Sequence, residues 1–119
     1  MRRGDLFWAD IQPRSGSEQQ GTRPVVVLSH DSFNDVSAWR SVIVVPISTS
    51  ARQAARGPTV VTLPKGTGGL TEESVAIAHQ ITTLDRSKLN NRIGTLPAQF
   101  VTQLERAIRN ALDLTESAD

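Results

Sequence analysis

The sequence predicts a mainly β domain with a C-terminal helix (α+β): a small, strongly bent antiparallel sheet or barrel capped by that helix. Three observations lead there. Short β-branched runs recur between polar, turn-like segments: Pro24-Val25-Val26-Val27-Leu28, Val42-Ile43-Val44-Val45 and Thr59-Val60-Val61-Thr62-Leu63. After Pro97 the apolar spacing changes, and Phe100, Leu104, Ile108 and Leu112 recur at every fourth position. The chain has 119 residues, room for a single domain over 1–119 and none for a second.

The elements follow in order. Leu6-Phe7-Trp8-Ala9 reads as a first strand entered through Gly4-Asp5. Gln12 to Thr22 is polar and rich in Gly and Ser, a long connection of the kind that often carries function in small domains. Pro24 to Leu28 has the continuous β-branched character of a buried strand. His30 to Trp39 is polar and turn-like. The strand Val42–Val45 meets Pro46, which has no N–H and so ends a regular ladder or sits at an edge or bulge. Ser48-Thr49-Ser50 then stand just past a strand end, where side chains can face a cleft. Thr59 to Leu63 is a further strand, and Gly66-Thr67-Gly68-Gly69 is a flexible turn. From Ser74 to Leu84, Val75, Ile77, His79 and Ile81 alternate with Ser74, Ala76, Ala78 and Gln80, which predicts one strand. Arg92-Ile93-Gly94 is a last short strand. Pro97 suits the first turn of the final helix, and Arg106 and Arg109 suit its C-terminal half, where the helix dipole attracts cations.

Composition excludes several classes. The apolar fraction is 38%, enough for a modest core, since a chain this size hides roughly two-thirds of its unfolded surface. The longest apolar stretch, Val42 to Ile47, contains Pro46 and falls far short of the roughly 18 residues that read as a membrane span. Met1-Arg2-Arg3 is followed by Gly4-Asp5 rather than an apolar core, so no secretory signal is expected. With no Cys, 2 His and no Asp/Glu cluster at ligand spacing, neither a disulfide scaffold nor a metal site is expected. The formal net charge is only +1. The stretch between Asp35 and Glu72 nevertheless holds Arg40, Arg52, Arg56 and Lys65 and no acid; such a surface is either a solvated face or one that attracts a polyanion.

Three places could carry chemistry. Arg23 precedes Pro24 where a polar loop enters a buried strand, and a guanidinium there is either an ordinary loop cation or a bidentate phosphate ligand. Ser48-Thr49-Ser50 offer hydroxyls that either bind phosphate oxygens or cap a turn. His79-Gln80 lies within the expected strand; a histidine there is either packed with a satisfied nitrogen or, facing a phosphate, a proton carrier.

Taken in order, the segments of this chain resemble the MazF/PemK (Kid) family of toxin endoribonucleases over nearly its full length. Arg3-Gly4-Asp5-Leu6-Phe7-Trp8-Ala9-Asp10 is similar to the family's opening strand. Gly16-Ser17-Glu18-Gln19-Gln20-Gly21-Thr22-Arg23-Pro24-Val25-Val26-Val27-Leu28-Ser29 matches its loop-and-strand signature, and Asp31-Ser32-Phe33-Asn34 resembles the continuation. Val45-Pro46-Ile47-Ser48-Thr49 corresponds to a Val-Pro-Ile/Leu/Val-Thr-Ser segment, and Gln80-Ile81-Thr82-Thr83-Leu84-Asp85 with Arg92-Ile93-Gly94 to a late-strand signature.

The resemblance implies a small SH3-like barrel (CcdB/PemK-like) with a C-terminal helix, and a homodimeric, cytoplasmic toxin of a type II toxin–antitoxin system. It implies sequence-specific, metal-independent and cofactor-free cleavage of single-stranded RNA (mRNA), leaving 2′,3′-cyclic phosphate and 5′-hydroxyl ends. It implies a small MazE-like antitoxin whose disordered tail blocks the RNA groove. The family's catalytic Arg and Thr fall at Arg23 and Ser48, where Ser keeps the hydroxyl and loses only a methyl. A second branch uses a His, an Arg and an Asp at positions that here are Ser17, Ile77 and His79, so that acid–base set is absent. Thr82 stands where Arg is common. The expected site is therefore Arg23 and Ser48 as the catalytic pair, His79 as an acid–base candidate, and Glu18, Gln19, Thr49 and Gln80 against RNA. The alternative is a gyrase-binding toxin of the same fold, CcdB-like; its Trp-Gly-Ile tail has no counterpart in Thr115-Glu116-Ser117-Ala118-Asp119.

Overall fold

The computed structural model describes residues 1–11, 21–49, 51–55 and 57–114. In chain order the strands are β1 (Asp5–Ile11), β2 (Gly21–Val27), β3 (Ser41–Ser48), β4 (Val60–Leu63), β5 (Ser74–Ile77), β6 (Thr82–Asp85) and β7 (Leu89–Thr95). Helices α1 (Asp31–Asn34) and α2 (Ala51–Ala54) flank β3, and α3 (Ala98–Leu112) follows the last strand. All strand pairs are antiparallel, in the order β4-β5-β3-β2-β1-β7, with β6 beside β3. This is the expected mainly β fold with a C-terminal helix; the path ends at β4 and β7 and is not closed by pairing among the described residues.

Two-residue periodicity builds two cores. Val25 and Val27 face one side of the sheet with Ala9, Ile11, Val42 and Val44. Val26 and Leu28 face the other with Leu6, Val45, Ile47, Val61 and Leu63. Both faces of β2 and β3 are covered, so a one-residue slip would exchange the two sets and break both cores.

Helix α3 covers the second core. Leu104 and Ala107 are buried, and Phe100, Val101 and Ile108 pack beside them. Leu112, the fourth member of the expected stripe, is instead 53% exposed, because the helix stops there at Asp113 in a left-handed turn (φ 56°). Arg3 ties the start of β1 to this helix: its guanidinium meets Glu105 at 2.7 Å and donates to the Leu28 carbonyl at 3.0 Å. The connection from β2 to β3, expected to be turn-like, contains α1 capped by His30 Nδ1, which accepts from Ser32 N at 3.0 Å. Arg86 pins that connection by donating to the carbonyls of Phe33, Asn34, Val36 and Trp39.

The single strand expected from Ser74 to Leu84 is broken. Val44 pairs with Thr82 and Ile47 with Ala76. Two residues of β3 therefore stand opposite five, 77 to 81, and the excess of three is taken up in a 3₁₀ turn at Ala78–Gln80. His79 accordingly leaves the alternation that was expected to align it with Val75 and Ile77.

Two carboxylates anchor this frame. Burial pushes Asp5 up, but hydrogen bonds from Arg2 N, Thr95 Oγ1 and Arg92 outweigh it, and the net direction is downward. At Asp85, hydrogen bonds from Ser87 and then Arg40 lower the carboxyl to about 2. A carboxylate lowered on folding contributes stability above its unfolded value of about 4 and loses it as pH falls through the folded value. The melting temperature should be flat from about pH 7 to 5 and fall between about pH 4 and 2. Asp5→Asn should melt lower at neutral pH and lose part of that acid slope; thermal melts across pH in both proteins check this.

Candidate active site

The β2–β3 register sets Val27 opposite Val44, Val26 opposite Val45 and Val25 opposite Pro46. Carried two residues further along each strand, the same register brings Arg23 opposite Ser48. Pairing between the strands stops before that point. Pro46 has no N–H to continue the ladder, and beyond it β3 is held on its other edge, with Ile47 opposite Ala76 and Ser48 opposite Val75. The strands part, and the gap is a hollow of about 220 Å³ lined by both Arg23 and Ser48.

Thr22, Pro24, Ile47 and Thr49 line the hollow beside the pair. Trp8, opposite Pro24 on β1 and 42% exposed, stands at one side. The segment carrying Gly69, Leu70, Thr71, Glu72 and Ser74, with Ile93 of β7, forms the facing wall. Ser48 is buried and Arg23 exposed. Arg2, Arg3, Arg40 and Arg92 all sit in ion pairs, whereas Arg23 makes none with the described residues. A guanidinium held on a strand yet unpaired is placed to take an anionic ligand in two hydrogen bonds.

The wall depends on a close backbone approach. A Cβ on Gly94 would lie 2.0 Å from the Gly68 carbonyl oxygen, and Gly68 itself has φ +59° with Leu6 pressed against it. The Gly66–Gly69 turn therefore lies directly on β7.

The other expected residues separate into two groups. Thr49 lines the hollow. His79 and Gln80 do not: His79 Nδ1 is 2.8 Å from Thr59 Oγ1, and His79 Nε2 and Gln80 Oε1 are buried without hydrogen-bond partners. The 3₁₀ turn that carries them packs against α3. Glu18 and Gln19, like Ser17 and Ser50, lie outside the described residues. Arg23, placed at a loop end by sequence, lies inside β2, which begins at Gly21. Of the acid-free stretch, Arg40 is paired with Asp85 at 2.9 Å, Arg56 lies outside the described residues, and Arg52 and Lys65 do not line the hollow. Sequence reasoning missed Trp8 and Glu72. The signal for the wall was Gly68-Gly69 and Gly94, whose mutual approach only a folded chain reveals.

The PemK-like, MazF-like toxin family of type II toxin–antitoxin systems matches residues 2–112. The chain belongs to that family. Endoribonuclease MazF6 of Mycobacterium tuberculosis is 34% identical over 114 residues, covering 96% of this chain and 98% of the relative. Endoribonuclease MazF of Staphylococcus saprophyticus is 36% identical over 114 residues, covering 96% and 92%. MazF of Deinococcus radiodurans superposes with a TM-score of 0.78 at 28% identity, covering 96% of this chain and 97% of that one. Its MazE–MazF crystal form II gives 0.72 at 27%, covering 97% of each. The chain is thus a MazF-type endoribonuclease toxin, and the gyrase-binding alternative is not favoured.

Gly94→Ala tests the wall of this MazF-type site. Ala is ordinarily better than Gly in a strand, but here its methyl meets backbone. The variant should lose about 1–3 kcal/mol in urea unfolding, as overpacked sites do, and should cleave RNA more slowly below its melting range.

Proposed function

We propose that this toxin cuts single-stranded RNA in the cytoplasm without a metal ion, using Arg23 and Ser48, and that a small MazE-like antitoxin restrains it. The observation that carries the reading is the shared hollow: a guanidinium without an ion pair among the described residues and a buried hydroxyl line it together where two strands part. The antitoxin follows from family membership and from the MazE–MazF crystals of the Deinococcus relative. Two copies of the chain pair in this reading. The stacked Phe33 and Trp39 rings, 5.1 Å apart and half exposed, supply apolar surface of the kind that assemblies cover. No helix among the described residues is long and apolar enough to cross a membrane.

RNA brings its own nucleophile. Its 2′-oxygen attacks the adjacent phosphorus, the bond from phosphorus to the 5′-oxygen breaks, and a 2′,3′-cyclic phosphate and a 5′-hydroxyl result. Arg23 stabilises the charge that gathers on the phosphoryl oxygens, where one well-placed donor is worth about 3–4 kcal/mol. Ser48 hydrogen-bonds the phosphate and holds it in line with the attacking oxygen. Among the described residues no three His, Cys, Asp or Glu side chains cluster as metal ligands.

Arg23→Ala should slow cleavage of a transcript by about 100- to 1,000-fold with the melting temperature retained. RNA carrying 2′-deoxyribose at the cut position should resist cleavage, and chelator should leave the wild-type rate intact. Wild-type rates in Arg23→Ala would remove the hollow from the chemistry, and loss of activity in chelator would overturn the metal-free scheme.

A further inference from the structure

We propose that Glu72 is the base that takes the proton from the attacking 2′-hydroxyl, an inference that rests on the reading of the hollow as the cleavage site. The scheme above leaves that proton without an acceptor. An arginine side chain stays protonated at neutral pH and serves as a charge, not a base. A serine hydroxyl is too weak a base for the task. His79 was the titratable candidate from sequence, but it stands outside the hollow, with one ring nitrogen against Thr59 and the other buried.

Among the described residues that line the hollow, Glu72 is the only carboxylate, and no imidazole joins it. It makes no ion pair with the described residues. Its backbone is fixed from both sides. Upstream, Gly69 lies against Ile93, where a Cβ would come 2.8 Å from the Ile93 carbonyl oxygen. Downstream, buried Ser74 donates to the Glu72 carbonyl at 2.9 Å. Val75, opposite Ser48 in the β3–β5 register, is three residues further on. Glu72 is thus carried on a segment held at both ends that lines the hollow with Arg23 and Ser48.

Charge sharpens the point. A carboxylate that lines the same hollow as the guanidinium, with no ion pair among the described residues, repels a phosphate, so its effect on RNA binding alone is unfavourable. Proton transfer makes the same group useful. The 2′-oxygen bonds to phosphorus as its proton passes to a Glu72 oxygen. The 5′-oxygen leaves and takes a proton from water, and Glu72 afterwards returns its own proton to water. Atoms and charge balance without a further reactant.

The test compares Glu72→Gln with wild type and Arg23→Ala. The readouts are cleavage of a long mixed-sequence transcript across pH and binding of the matching single-stranded DNA, which lacks the nucleophile. Glu72→Gln should cleave about 100-fold or more slowly, lose the acidic limb of the pH–rate profile, and bind the DNA as tightly as wild type or more tightly. Slow cleavage with the acidic limb intact would overturn the assignment, as would weakened DNA binding that accounts for the loss. Wild-type cleavage in Glu72→Gln beside an inactive Arg23→Ala would overturn the base and leave the hollow as the site. Wild-type cleavage in both would overturn the site and the inference together.

Discussion

The pairing of β2 with β3 is the constraint on which the rest of this molecule depends. Val25, Val26 and Val27 lie opposite Pro46, Val45 and Val44, and the alternation of these side chains feeds two separate cores. No neighbouring register satisfies both, since a shift by one residue turns every side chain to the other face. The same register aligns Arg23 with Ser48 just beyond the last paired residues. The core thus fixes the site: the energy that holds the valines in place also sets a cation and a hydroxyl on either side of a gap.

The gap exists because β3 changes partners. Its first half is held by β6 and its end by β5, and Pro46 is the last residue paired with β2, directly before the first paired with β5. A strand shared in this way bends the sheet, and the bend is absorbed opposite by the Ala78–Gln80 turn. The facing wall is held by backbone packed on backbone at Gly68 and Gly94.

Charge in the molecule is divided by task. Arg2, Arg3, Arg40, Arg86 and Arg92 are spent on structure, against carboxylates or backbone carbonyls. Arg23 makes no ion pair among the described residues and lines the hollow. Glu72 across the hollow has the same character with opposite sign. In the proposed reaction Arg23 stabilises charge and Glu72 accepts the proton of a phosphodiester that attacks itself.

Much of this was legible in the sequence, and the limits are physical. Strand runs such as Val25–Val27 and the four-residue spacing of Phe100, Leu104 and Ile108 are local signals, because burial of one face imposes a period on neighbouring residues. Arg23 and Ser48 were singled out by the family resemblance, and the structure brings both to one hollow. His79 misled because alternation continues through Ala78–Gln80 in the sequence while the chain itself turns; the three-residue excess is set by what β3 pairs with. Trp8, Glu72 and the Gly68–Gly94 contact carried no local mark, since each owes its place to residues many positions away. The sequence by itself therefore determined most of the strands, the final helix and the candidate pair Arg23 and Ser48. Only the tertiary structure decided that the pair share a hollow, that Glu72 lines it with them and that His79 does not, because partner choice between strands is a long-range balance that no local period encodes.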